Sequence, residues 1–137
     1  MENMSTDNKY KKLFQFFSRW VTLNENGMTT GKFLKEKKVQ NVAIYGLGPL
    51  GRHLLFELRE AGIGVVYGID QRSDKLNLDV NFLDWSDKKS LPEVDLLIIT
   101  AIVDYESIER EICEVREYPV ISLEDIIKEM EKLRSKR

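Results

Sequence analysis

The sequence predicts an α/β domain. The expected architecture is a three-layer fold with a parallel sheet of about five strands in the order 3-2-1-4-5, preceded by an N-terminal helical arm. Three observations carry this expectation. Asn41 to Asp70 reads as strand, glycine turn, helix, strand. Val94-Asp95-Leu96-Leu97-Ile98-Ile99-Thr100-Ala101 is a nearly continuous apolar run, as suits a parallel strand buried on both faces. Helical patterns alternate with such runs, and right-handed crossovers with a switch point beside the first strand give the order.

The central unit sets the register for the rest. Val42-Ala43-Ile44-Tyr45 is a short apolar strand that runs into Gly46-Leu47-Gly48-Pro49-Leu50-Gly51, a G-x-G-x-x-G. A helix follows, with Leu54, Leu55, Leu58 and Ala61 on one face, and Gly62 and Gly64 end it. Val65 to Ile69 is the next strand, with Asp70 at its tip. This context makes the glycine pattern a candidate dinucleotide-binding turn. Gly46 lets the chain leave the strand, Gly48 lets the backbone approach a pyrophosphate, and Gly51 lets the helix pack closely. The helix start offers free N–H groups and a positive dipole end to phosphate. Pro49 supplies no N–H but suits the first helical position. Asp70 suits a ribose diol and disfavours a 2′-phosphate, a preference that neighbouring Arg72 tempers.

Upstream, residues 1–38 form the expected tail and helical arm, and residues 39–137 the α/β domain. Met1 to Asn8 reads as disordered. Lys9 to Leu23 carries Leu13, Phe16, Phe17, Trp20 and Val21 at helical spacing. This aromatic stripe needs cover, from the α/β body or from a second copy in a homodimer. Asn24 to Gly27 is a turn, and Thr29 or Thr30 caps a short helix that runs to Lys38 with Phe33 and Leu34 inward. Lys32, Lys35, Lys37 and Lys38 read as its solvated face.

Downstream, Gln71 to Leu78 is turn-like, and Leu78 to Leu83 alternates as a short edge strand. Trp85 falls in a polar connection and offers cover for one side of the sheet. Thr100 and Ala101 end the apolar strand beside the glycine turn, where ligands of open α/β sheets bind. Asp104 caps a helix from Tyr105 to Glu117 with Ile108, Ile112 and Val115 inward. Pro119 to Ser122 is the last strand. Ser122-Leu123-Glu124-Asp125 resembles a capping box and opens a final helix with Ile126, Ile127, Met130 and Leu133 inward. The candidate ligand-binding residues are thus Gly46, Leu47, Gly48, Pro49, Leu50, Gly51, Asp70, Gln71, Arg72, Thr100 and Ala101.

Composition narrows the classes. With 137 residues and a formal net charge of −2, one domain is expected, without general attraction to nucleic acid or anionic membranes. Cys113 is the only cysteine and His53 the only histidine, so neither an intrachain disulfide nor a Cys/His zinc site can form. No apolar run reaches membrane-spanning length, and the polar start has no signal-peptide core, so a cytoplasmic protein is expected. His53, in the first turn of the helix, has no motif-assigned partner and makes a poor catalytic candidate.

From Val42 to Ile127 the residues I-Y-G-x-G-x-x-G, V-x-Y-x-I-D, V-D-x-L-I-I-T and V-I-S-L-E-D-I resemble the NAD(P)-binding Rossmann superfamily. More narrowly, they are similar to small Rossmann-like domains of bacterial polysaccharide and nucleotide-sugar pathways. The resemblance implies a cofactor such as NAD or NADP, or a nucleotide sugar. It places phosphate at Gly46, Gly48 and Gly51 and ribose at Asp70, and it supplies no catalytic residue. The expected function is a nucleotide-binding accessory or regulatory domain. Two alternatives stand beside it. One is a small oxidoreductase completed by oligomerisation, for which Tyr45, Tyr67, Asp104 and Tyr105 are the nearest acid/base groups. The other is a fold of this kind that binds no nucleotide and serves protein interaction through Phe14 to Trp20.

Overall fold

The computed structural model of the chain describes residues 6–70, 78–84, 86, 90–101, 105–114 and 119–136. Four strands, β1 (Asn41–Tyr45), β2 (Gly64–Ile69), β3 (Leu96–Ile99) and β4 (Val120–Ser122), form one sheet. All pairings are parallel and the order is β2-β1-β3-β4. The helices among the described residues are α1 (Thr6–Glu25), α2 (Thr30–Glu36), α3 (Pro49–Glu60), α4 (Tyr105–Cys113) and α5 (Leu123–Ser135).

Among the described residues the sheet therefore has four strands rather than five, and its order departs from 3-2-1-4-5 by the absence of the outermost strand. The expected edge segment, Leu78 to Leu83, makes one isolated parallel bridge between Phe82 and Gly68. Gly68 N–H donates to the Asn81 carbonyl at 3.0 Å, and Leu83 N–H donates to the Gly68 carbonyl at 2.9 Å. Asp79 and Asn81 are poor strand formers, and the Asp79 carbonyl accepts from the Arg59 guanidinium instead of from a ladder. Alternation alone did not reveal that competition.

The two sheet faces are covered separately. Val42 and Ile44 of β1 join the larger core with Leu54, Leu55 and Leu58 of α3 and Ile126, Ile127 and Met130 of α5. Ala43, between them, faces the other core, with Tyr67, Leu97, Ile99 and Ile112 of α4, as the two-residue side-chain period of a strand requires. Ser122 caps α5, its hydroxyl accepting from Asp125 N–H at 3.0 Å. Leu133, expected inward on α5, is instead exposed.

The N-terminal arm lies on this same chain's body. Phe16, Trp20 and Leu23 of α1 and Phe33 and Leu34 of α2 belong to the larger core. Thr6–Asn8, expected to be disordered, already forms the first turn of α1. Val21, expected inward, is 48% exposed, because it stands about 100° around the helix from the fully buried Trp20. Arg19 ties α1 to α5 through a two-pronged pair with Glu131, at 2.6 and 3.1 Å, which holds the Glu131 carboxyl below its ordinary range. Helix α2 is capped by the Thr29 hydroxyl and ends at Glu36, short of the expected Lys38. It packs against α3 so closely that a Cβ at Gly31 would stand 2.3 Å from the Glu57 carbonyl oxygen and 2.6 Å from Ala61 Cβ. Lys35, on its solvated face, donates to the Ala61 carbonyl at 2.9 Å and so caps the end of α3.

One buried carboxylate joins the arm to α3. Glu57 is 3% exposed. Its Oε1 accepts from Trp20 Nε1 at 2.6 Å and from the Thr30 amide and hydroxyl at 3.2 and 3.1 Å. Its Oε2 accepts from Asn24 Nδ2 at 3.0 Å. Asn24 is itself fixed, because its Nδ2 also donates to the Met28 carbonyl and its Oδ1 lies 3.0 Å from His53 Nε2. The site thus presents donors to both oxygens. Glu57→Gln is nearly isosteric but turns an N–H₂ toward a donor, and is expected to lower stability by about 1–3 kcal/mol. Urea unfolding followed by Trp fluorescence reads this; an unchanged midpoint would contradict the network.

Candidate functional site

Strands β1, β2 and β3 end together, and the glycine turn leaves from the middle one. Gly46 has φ +98°, a conformation that side chains disfavour. Its N–H donates to the Ile69 carbonyl at 2.8 Å, which ties the turn to the end of β2. On the other side, Thr100 Oγ1 stands 2.8 Å from the Gly46 carbonyl and 3.0 Å from the Tyr45 carbonyl. A Cβ at Gly46 would lie 2.5 Å from that hydroxyl. Gly51 is tighter still, since a Cβ there would lie 2.0 Å from the Gly46 carbonyl oxygen. The first and third glycines therefore let the turn fold onto itself and onto β3.

Gly48 is the N-cap of α3, with φ −72° and ψ −161°, and Pro49 opens the helix. No side chain caps this end. Among the described residues, the Leu50 and Gly51 N–H groups have no hydrogen-bond acceptor, whereas Arg52 N–H already bonds the Gly48 carbonyl at 2.9 Å. A twelve-residue helix thus presents first-turn donors and its positive dipole end at the carboxyl edge of the sheet.

Asp70 stands at the tip of β2 and turns back onto the glycine turn. Its Oδ2 accepts the Leu47 N–H at 2.7 Å. Leu47 therefore contributes no free amide, and its side chain is fully buried, as that of Leu50 nearly is. These two residues shape the turn from below. That bond holds the Asp70 carboxylate against the glycine turn, at the edge where the strands end. Ala101 is half-buried at the end of β3. Gln71, Arg72 and Asp104 lie outside the described residues, as does Trp85.

The structure thus brings Gly46, Gly48, Pro49, Gly51, Asp70 and Thr100 together at one edge, with Leu47 and Leu50 as their support. The acid/base candidates fare differently. Tyr67 is fully buried in the second core. Burial, with Glu111 and Asp70 nearby, raises the pKa of Tyr45. Tyr105 is also raised, first by burial and then by its hydrogen bond to Glu109. Both phenols keep their protons near neutral pH, so neither serves there as a general base. His53 proves to be a structural partner of Asn24 in contact with Phe17, Trp20 and Phe56.

Sequence reasoning passed over the Glu57 network that holds α3. Its signal was a glutamate within the apolar Leu54–Leu58 face, beside a tryptophan whose N–H would need an acceptor once buried. A groove of about 730 Å³ opens elsewhere, at the amino ends of the strands, lined among others by Lys37, Asp95, Pro119 and Lys132. It lies away from the glycine turn.

No protein-family model matches the chain, and no curated protein matches it significantly.

Thr100→Val keeps the shape but removes the hydroxyl that braces the turn. It is expected to lower stability by about 0.5–1.5 kcal/mol, read from the shift in the denaturant midpoint. No loss would mean that the turn does not depend on this contact.

Proposed function

We propose that this chain is a nucleotide-binding module of Rossmann-like type. Its ligand is NAD(P) or a nucleotide sugar, with the diphosphate at the start of α3 and a ribose beside Asp70. The observation that supports this most is the uncapped start of α3, reached through the Gly46–Gly51 turn at the carboxyl edge of a parallel sheet. Ligands of open α/β sheets bind at that edge, where strand connections diverge to opposite faces. Here β1 connects through α3 to β2 on one side, and β3 through α4 to β4 on the other. The polysaccharide or sugar-nucleotide setting rests on the sequence resemblance alone.

The reading is of binding rather than catalysis, because the tyrosines nearest the edge are either buried or held protonated. A second reading has one observation in its favour. Asp70 bonds the turn itself, as it would in a fold that has no ribose to hold.

Gly48→Val separates the two readings. The backbone at Gly48 is extended rather than left-handed, so a side chain there brings no backbone strain and the variant should keep the fold, with a modest loss of stability from a poorer N-cap. Its side chain would stand where the pyrophosphate must approach. The experiment is a thermal-shift screen of NAD, NADH, NADP, UDP-, GDP- and ADP-sugars. A ligand at 100 times its dissociation constant should stabilise the parent chain by about 2.7 kcal/mol, and Gly48→Val should abolish the shift. No shift with any of these, or an undiminished shift in Gly48→Val, would refute the site.

A further inference from the structure

We propose that two copies of this chain associate through α1, antiparallel, along a stripe separate from the face that α1 buries in its own core. Tyr10, Phe14, Phe17 and Val21 follow one another at spacings of four, three and four, the repeat of a helix–helix seam. Tyr10 is 66%, Phe14 73% and Val21 48% exposed, while Phe17 is half-buried. The inward face is a different set, Phe16, Trp20 and Leu23. The stripe is about 16 Å long. Phe17, His53 and Phe56 extend it onto α3 as a run of rings, each pair 6.3 Å apart between centroids, and Phe56 is 59% exposed.

Charge selects a second copy as the occupant and fixes its direction. Lys11, Ser18 and Glu25 lie seven residues apart along the outer edge of the stripe. All three are exposed, and Lys11 and Glu25 make no ion pair among the described residues. In an antiparallel pair this edge meets its own copy. Tyr10 then stands against Val21 and Phe14 against Phe17, about a two-fold axis between residues 15 and 16, and Lys11 reaches Glu25 of the second copy across an axial offset of about 7.5 Å. Helical side chains lean toward the N-terminus, so Lys11 and the opposing Glu25 lean toward each other. A parallel pair would set this edge against the Leu13 and Trp20 edge of the other copy, which already faces its own core. The apolar surface involved is on the order of 400–500 Å² a side. That is near the lower limit for a specific interface and implies a reversible dimer.

Sedimentation velocity of the full chain over the micromolar range tests this. The expected result is a concentration-dependent dimer. Phe14→Glu should weaken it by about tenfold or more with an unchanged thermal midpoint, since Phe14 is mostly solvated. Lys11→Glu alone should weaken it, and Lys11→Glu with Glu25→Lys should restore it. A monomer at all concentrations would overturn the proposal and leave the stripe to a different protein. A dimer indifferent to Phe14→Glu, or a charge swap without restoration, would overturn it as well.

Discussion

The buried carboxylate of Glu57 is the contact on which the architecture depends. Two segments distant from it in sequence, α1 through Trp20 and Asn24 and the start of α2 through Thr30, place donors on its two oxygens. Burying a carboxylate among leucines is costly unless such partners are supplied. Here they come only when both arm helices are seated. The network therefore makes the arm part of the domain and fixes α3 against rotation about its own axis. The narrow gap at Gly31 permits the approach that the hydrogen bonds require.

Helix α3 is also the element that carries the glycine turn, so its fixation bears on the proposed site. Three braces converge on that turn. Gly46 is tied to Ile69, Thr100 to the Gly46 carbonyl, and Leu47 to Asp70. A phosphate cradle gains from such pre-organisation, because little backbone ordering remains for the ligand to drive. The same braces would also hold an empty turn, and for that reason a binding measurement must decide between the two readings. Nucleotide and second copy would engage different parts of the molecule, the first turn of α3 and the outer stripe of α1.

What was legible in the sequence is what depends on local pattern. The unit β1-α3-β2, the apolar run of β3 and the Ser122 cap all follow from periodicity and turn chemistry over a few residues. The inward direction of Phe16 and Trp20 followed as well, but that of Val21 and Leu133 did not. Both stand at the margin of an apolar arc, where exposure is decided by how neighbouring helices sit. The edge strand failed for a similar reason, since its alternation was right while Arg59 claimed one of its carbonyls. The Glu57 network was hidden by distance, its partners lying 27 to 37 residues away. Asp70 was legible as a residue at the edge, though not its bond to Leu47, which is a matter of rotamer.

The central claim is that the free first-turn amides of α3 receive a diphosphate. The most direct measurement is a ¹H–¹⁵N correlation spectrum of the chain titrated with ADP and with UDP. The account predicts saturable shifts largest at Gly48, Leu50 and Gly51, with the Leu47 amide, already bonded to Asp70, moving little. Absence of saturable shifts at those three amides, or shifts confined to the groove at the amino ends of the strands, would contradict it.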